Sequence, residues 1–168
     1  MIKEKTVCLT GYRSQKLPWG FNEKDPRCID MRMRTKEKFE ESINEGYEYF
    51  ISGMALGFDM ICAEIVLELK EEYPHIKLVG AIPCKNQDRF WMESDRKRYK
   101  ELLKRADIVV LISESYTEDC MLKRNVYMLE HSSRVIALYD GKAGGTKHTI
   151  SKAKNMGLDI ILITPLGI

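Results

Sequence analysis

Residues 52–59, with the sequence Ser-Gly-Met-Ala-Leu-Gly-Phe-Asp, combine residue types that can bind a phosphate group. They follow a short apolar segment typical of a buried strand, residues 47–51, and precede a helical pattern over residues 59–72. The two glycines allow a tight path and let backbone amides approach a ligand closely. The positive end of the helix dipole would face the same point. We therefore interpret this segment as an anion-binding turn formed by Ser52, Gly53, Ala55, Gly57 and Asp59.

Two common phosphate-binding motifs do not occur in this turn. It lacks the Gly-Lys-Ser/Thr ending of a Walker A loop, and it lacks the Gly-x-Gly-x-x-Gly dinucleotide fingerprint. Asp59 fits two roles, a cap of the following helix or a partner of a ligand hydroxyl group. The sequence identifies no catalytic residue. A hydrolytic reaction would need a carboxylate, and the available ones are Asp59, Glu64 and Glu114.

Three further groups of small or polar residues are predicted to lie in the same site. A guanidinium at position 13 could pair with a phosphate through two parallel hydrogen bonds. The glycine pair before the last helical pattern could form a second anion-binding nest. The groups are Thr10, Gly11 and Arg13; Pro83 and Asn86; and Gly144, Gly145 and Thr146.

Six short apolar segments alternate with five helical patterns along the chain. The predicted strands are residues 6–10, 47–51, 76–82, 107–112, 134–139 and 158–163, and the predicted helices end near residues 45, 72, 105, 132 and 156. This alternation is typical of an α/β, Rossmann-like, doubly wound and mostly parallel sheet with helices on both faces. We expect residues 1–168 to form a single domain. Ligands of such sheets bind beyond the carboxyl ends of the strands, where the candidate residues fall.

Composition excludes several classes of protein. The 168 residues are 44% hydrophobic and 31% charged with a net charge of +2, which excludes a disordered chain and a strongly basic nucleic-acid-coating protein. No apolar run is long enough to span a membrane and no signal peptide is recognisable, so we expect a cytoplasmic protein. The five cysteines include no Cys-x-x-Cys pair and the three histidines are scattered. We expect free thiols, with no metal and no resident cofactor.

These residues resemble a known family. Residues 52–59 are similar to the SG-x-A-x-G-[IVF]-D signature of the SLOG superfamily, which includes the Smf/DprA proteins and the cytokinin-activating LOG enzymes. The nearer resemblance is to the YpsA-like branch and extends over nearly the whole chain. The similar stretches are residues 10–13, 17–20, 82–84 with 86–87 and Trp91, 116–121 with 124–125, and 140–141 with 144–147.

The resemblance implies a Rossmann-like protein that binds a nucleotide or nucleotide-derived ligand, such as a nucleoside monophosphate or an ADP-ribose-like molecule. We expect a sensor or regulatory module. The alternatives are a LOG-like hydrolase of a nucleotide N-glycosidic bond and a DNA- or protein-binding adaptor related to DprA. The LOG motif PGGxGTxxE is not matched, since Pro-Gly-Gly is absent and Glu64 lies two residues too far along. The LOG-like resemblance also implies a homo-oligomer, most simply a dimer, while nucleic-acid and membrane partners are not expected.

Overall fold

The computed structural model of the protein describes residues 1–167. Along these residues the secondary-structure elements are β1 (Thr6–Gly11), α1 (Pro26–Asn44), β2 (Tyr49–Ser52), α2 (Phe58–Glu72), β3 (Lys77–Cys84), α3 (Glu93–Arg105), β4 (Ile108–Ser113), α4 (Cys120–Glu130), β5 (Arg134–Leu138), α5 (Gly145–Asn155) and β6 (Asp159–Ile163). Short 3-10 turns lie at Lys3–Lys5 and Ser14–Lys16. The α/β alternation predicted from the sequence is confirmed.

The six strands of this part of the chain form one parallel sheet in the order β4-β3-β2-β1-β5-β6. The chain moves outward from β1 through β2 and β3 to β4, and then returns to place β5 on the other side of β1. The connections that leave the adjacent strands β1 and β5 therefore run in opposite directions. A crevice opens beyond the carboxyl ends of strands at such a switch point, and it is the usual ligand position in this architecture.

Helices cover both faces of the sheet because alternate strand residues point to opposite sides. On one face, Val7 and Leu9 of β1 belong to the core built with α1, α2 and α3. On the other face, Cys8 belongs to a smaller core that includes Met128 of α4 and Ile150 of α5. The near-continuous apolar strands seen in the sequence follow from this double burial.

Helix α2 is buried within the chain along most of its length. Its side chains pack against β1, β2 and β3 and are flanked by α1 and α3. Its polar stripe is formed by Glu64 and Glu68, which pair with Arg32 of α1 at 3.2 and 3.6 Å. Packing inside one protomer therefore explains the apolar composition of this helix without a second copy.

Two element boundaries differ from the sequence prediction. The sequence predicts that the third strand stops before Pro83, whereas Pro83 lies inside β3. Strand β2 ends opposite Gly80, so Pro83 has no partner on that side. A proline, which lacks the amide hydrogen, is tolerated in a strand where a neighbouring strand has stopped. The sequence pattern predicts that the last helix begins at Thr149, whereas α5 begins four residues earlier, at Gly145. Gly144, with a φ of +141°, occupies the N-cap position there. Gly145 and Thr146 consequently belong to the first turn of a helix.

Among residues 1–167 no helix combines the length and the apolar character that crossing a membrane requires.

The buried position of α2 predicts that two Leu→Ala substitutions, one in α2 and one on an exposed surface, lower the free energy of unfolding by very different amounts. Leu69→Ala removes a side chain that is 1% exposed in α2 and should lower the free energy of unfolding by about 2–5 kcal/mol. Leu122→Ala removes one that is 47% exposed in α4 and should change it by about 0.5 kcal/mol or less. Urea denaturation measures both. Equal losses for the two variants would contradict the described packing.

The expected homo-oligomer stays a prediction. Light scattering at micromolar protein concentration should give a particle of twice the 19.5 kDa protomer mass. A particle of 19.5 kDa under these conditions would contradict a dimer.

Candidate functional site

A cavity of about 280 Å³ lies at the carboxyl-end edge of the sheet, beside the switch point. Its walls come from the end of β1 and the following loop, the β2–α2 turn, α4 and the first turn of α5. Seven of the residues predicted from the sequence line it: Thr10, Gly11, Arg13, Ala55, Asp59, Gly145 and Thr146. The remaining lining residues are Tyr12, Gln15, Lys16, Leu56, Arg124 and Asn125.

Positive charge predominates in the cavity wall. Arg13, Lys16 and Arg124 line it, and Asp59 is the one acidic residue among the lining residues. The Lys16 ammonium group donates to the Ala143 carbonyl oxygen at 2.7 Å, which ties the loop after β1 to the residues just before α5. A wall of this composition favours an anionic ligand.

Helix α5 presents an uncapped N-terminus to the cavity. No side chain accepts a hydrogen bond at its N-cap, Gly144, and the next two residues line the cavity. The first backbone amides of a helix have no partner within the helix, and the dipole places partial positive charge there. An anion in the cavity could satisfy the amides of Gly145 and Thr146.

The N-terminus of α2 is arranged differently. The Phe58 amide donates to the Tyr12 carbonyl oxygen at 3.1 Å, and the Met60 amide donates to the Ala55 carbonyl oxygen at 3.2 Å. These amides are occupied by the protein itself. Within the turn of residues 52–59, it is Ala55, Leu56 and Asp59 that line the cavity.

The glycines of that turn allow close packing behind the cavity. A Cβ atom on Gly53 would lie 2.5 Å from a guanidinium nitrogen of Arg124, and that guanidinium donates to the Gly53 carbonyl oxygen at 2.7 Å. Gly57 has a φ of +106°, and a Cβ atom there would lie 2.7 Å from both the Tyr12 carbonyl oxygen and the Ser14 amide nitrogen. Both glycines therefore position the cavity walls without lining the cavity.

Four other predicted residues also lie outside the lining. The Ser52 hydroxyl group donates to the Asp59 carbonyl oxygen at 2.8 Å and accepts from the Met54 amide at 3.1 Å, so it shapes the start of α2. Pro83 is buried at the end of β3, and Asn86 is exposed in the turn that follows. Gly144 supplies the N-cap of α5. The structure does not bring these side chains or backbone atoms to the cavity.

The carboxyl group of Asp59 lies in a partly desolvated position. Burial raises its pKa from the ordinary value of 3.8, and the positive charges of Arg124 and Arg13 oppose that shift. The Ala55 amide donates to one carboxyl oxygen at 3.4 Å. Asp59 thus presents an acceptor to the cavity, suited to a ligand hydroxyl group, and its proton affinity is increased.

Arg124 and Tyr12 are cavity residues that the sequence-based site prediction missed. Arg124 is 4% exposed; burial lowers its pKa, and the Asp59 charge partly offsets that effect. The sequence did contain a sign that Arg124 is buried. It lies four residues from both Cys120 and Met128, which places it on the buried stripe of α4. The Tyr12 hydroxyl group donates to the Asp140 carboxylate at 2.6 Å and accepts from the Lys142 amide at 3.0 Å, contacts between distant segments that no local pattern reveals.

Among residues 1–167, no group of three or more histidine, cysteine, aspartate or glutamate side chains is placed to hold a metal ion. The five cysteines are free thiols buried in the fold.

Comparison with known proteins agrees with this fold. The model of the YspA SLOG family, named YpsA, matches residues 7–165. The chain is 34% identical over 172 residues to a UPF0398 protein of Halalkalibacterium halodurans, covering 96% of this chain and 88% of that protein. It is 33% identical over 144 residues to the SPbeta prophage-derived protein YoqJ of Bacillus subtilis, covering 78% of this chain and 84% of that protein. The chain belongs to the YspA SLOG family.

A solved structure shares the fold. The X-ray structure of DNA processing protein A (DprA) from Streptococcus pneumoniae superposes with a TM-score of 0.63 at 14% sequence identity. The match covers 96% of this chain and 50% of the DprA chain, so this protein spans half the length of that one.

The close approach at Gly57 generates a stability prediction with a matched control. Gly57→Ala should destabilise the fold by more than Gly46→Ala. The two positions have similar positive φ values, +106° and +101°, so the backbone strain is common to both. They differ because an added Cβ at Gly46 has no atom within 4 Å, whereas one at Gly57 meets the backbone of residues 12–14. The strain common to both is about 1–3 kcal/mol, and the backbone clash adds to it only at position 57. Thermal or urea unfolding measures the difference. Equal losses would show that the packing against residues 12–14 is unimportant.

The raised pKa of Asp59 predicts how stability depends on pH. As the pH rises, the unfolded chain releases this proton near pH 3.8, whereas the folded protein releases it at a higher pH. Ionisation therefore favours the unfolded chain between these two pKa values. The free energy of unfolding falls over this range, until the pH has passed the folded-state pKa. Asp59→Asn lacks this titration. The stability of the wild type relative to the variant should therefore be greatest near pH 3 and decline toward pH 7. Urea denaturation at several pH values measures the difference, and a difference that increases with pH would contradict the burial of this carboxyl group.

Proposed function

We propose that the cavity binds a phosphate-bearing nucleotide or nucleotide-derived ligand, and that the protein acts as a cytoplasmic sensing or regulatory module. The observation that carries the proposal is the convergence of the uncapped start of α5 with the side chains of Arg13, Lys16 and Arg124 on one cavity. Backbone amides at a helix N-terminus and guanidinium groups are both effective phosphate donors.

The place of the cavity in the fold supports a nucleotide as the source of that phosphate. Doubly wound sheets bind nucleotides at the switch point beyond the carboxyl ends of the strands, with the phosphates at a helix N-terminus. Membership of the SLOG family supports a nucleotide-related role in the same way. Asp59, which also lines the cavity, is the acceptor that would take a hydrogen bond from a ribose hydroxyl group.

The positions of the other carboxylates favour binding over N-glycosidic hydrolysis. Glu64 is paired with Arg32 and Arg98 at 3.2 and 2.6 Å and is not among the residues that line the cavity. Glu114 is exposed, paired with Lys85 at 2.6 Å, and also outside the lining. Asp59 is thus the carboxylate that a hydrolase mechanism would have to use. A general acid or base must lie within hydrogen-bond reach of the reacting atoms.

An adaptor related to DprA is the second candidate. The fold shared with DprA favours it, although the likeness covers only half of that chain. A net charge of +2 is small for a protein that binds DNA through many phosphate contacts.

Calorimetry with AMP and ADP-ribose tests the proposal, with adenosine as the phosphate-free comparison. Arg13→Gln should weaken binding of both phosphate compounds by about 10- to 100-fold, the usual effect of losing a hydrogen bond to a charged group. Arg13 is exposed, so the variant should fold. Lys104→Gln is the control, because it removes the same charge from an exposed position in the last turn of α3. Binding by the control should equal that of the wild type.

Two results would contradict the proposal. One is the absence of binding by every phosphate compound at millimolar concentration. The other is adenosine binding as tightly as AMP, which would show that the cations do not recognise a phosphate. Product analysis in the same mixtures distinguishes the hydrolase. Release of free base by the wild type that is lost in Asp59→Asn, while this variant keeps its affinity for AMP, would establish catalysis.

A further inference from the structure

A second cavity lies against the first. It has a volume of about 260 Å³ and shares Arg13, Gln15 and Leu56 with the cavity described above. Its other lining residues are Phe21 from the loop before α1, Phe90, Trp91 and Met92 from the β3–α3 connection, and Asp95 from the first turn of α3. Each cavity alone is slightly below the range of roughly 300–1,000 Å³ that is typical of small-molecule sites, whereas a ligand occupying both would fall within it.

The second cavity has an aromatic and largely exposed lining, in contrast to the cationic first cavity. Phe90 is 86% exposed and Phe21 is 59% exposed, although large apolar side chains are normally sheltered from water. A group of exposed apolar residues bordering a polar cavity is typical of a binding surface. Aromatic rings of this kind stack on nucleobases regardless of sequence, because every base has a π-face.

The Trp91 ring is held in place by the core, whereas Phe90 is exposed beside it. The Trp91 ring contacts the buried Tyr99 ring edge-on, with centroids 5.1 Å apart, so one wall of the cavity is fixed to the core. The Arg89 guanidinium lies over the Phe90 ring at 4.4 Å from its centroid. A pre-positioned ring loses little conformational entropy when a ligand stacks on it.

Asp95 supplies an acceptor at the same cavity. It is half-buried in the first turn of α3, and its carboxylate has no hydrogen bond or ion pair with any residue in the range 1–167. The neighbouring acids do have such partners, since Asp88 pairs with Arg96 and Glu93 pairs with Lys97. A ligand amino group would give the Asp95 carboxylate a partner.

We propose that the second cavity is the base-binding subsite of the same ligand. The inference rests on the proposed function and extends it. The phosphate lies at α5 with Arg13, Lys16 and Arg124, and the ribose lies where the two cavities meet. An amino-bearing base stacks on Phe90 and Trp91, and its amino group donates to Asp95. The substrate class is therefore a nucleotide with an amino-substituted base, which Phe90 and Asp95 select.

The test compares ligands that share the phosphate and differ in the base. Calorimetry should show that the wild type binds AMP at least about tenfold more tightly than ribose 5-phosphate, because only AMP stacks in the second cavity. Phe90→Ala should remove most of this difference and leave the ribose 5-phosphate affinity unchanged. Met33→Ala, which removes another exposed apolar side chain from α1, is the control and should retain the difference.

A second comparison tests the role of Asp95. The wild type should bind AMP more tightly than purine riboside 5′-monophosphate, which lacks the amino group. Asp95→Ala should bind the two equally and keep its affinity for ribose 5-phosphate.

The outcomes separate the two proposals. If ribose 5-phosphate binds and AMP binds no more tightly, the base subsite is wrong while the phosphate site stands. If Phe90→Ala still binds AMP more tightly than ribose 5-phosphate by the wild-type factor, the base does not stack in this cavity and the base subsite is wrong. If neither compound binds, both proposals fail. Circular dichroism of each variant confirms that it is folded.

Discussion

The buried guanidinium of Arg124 connects the two faces of the sheet at the candidate site. It extends from α4, donates to the Gly53 carbonyl oxygen in the β2–α2 turn, and lies close enough to Asp59 for each charge to shift the pKa of the other. A buried charge is costly unless it is paired and hydrogen-bonded. The turn reduces this cost, since the Gly53 carbonyl oxygen accepts from the guanidinium, Gly53 has no side chain to block it, and the Asp59 charge acts on it from nearby. The residues that looked like a phosphate-binding turn are therefore also the residues that hold Arg124.

The two helix N-termini near the cavity consequently have different roles. The start of α2 is occupied by backbone contacts to residues 12 and 55, and it fixes the loop that carries Arg13 and Lys16. The start of α5 has no side-chain cap and borders the cavity. Gly57 allows the first arrangement by its close approach to the backbone of residues 12–14, and Gly144 allows the second by its positive φ. The anion site that the sequence predicts at the first helix start is therefore proposed at the second.

The sequence predicted the fold well because the signals for it are local. The apolar strands, the glycine and proline stops, and the periodic helices are visible in short windows. The rule that ligands bind at strand carboxyl ends directed the site prediction to the edge of the sheet where the cavity lies, and seven of the predicted residues line that cavity. The start of α5 was misplaced because glycines at positions 144 and 145 were interpreted as a loop. The roles of Gly53, Gly57 and Arg124 could not be predicted, because each depends on a contact with a segment far away in the chain. Phe90 and Asp95 gave no local signal either, since their cavity forms only when three loops meet.

The most direct test of the account is a titration of the ¹⁵N-labelled protein with AMP, followed by the chemical shifts of backbone amides at the two helix starts. If the phosphate binds at α5, the amide resonances of Gly145 and Thr146 should shift in a saturable manner, because their N–H groups gain an acceptor. The amides of Phe58 and Met60, which already donate within the protein, should shift much less. Saturable shifts at Phe58 and Met60 with none at Gly145 and Thr146 would contradict the assignment of the anion site to α5.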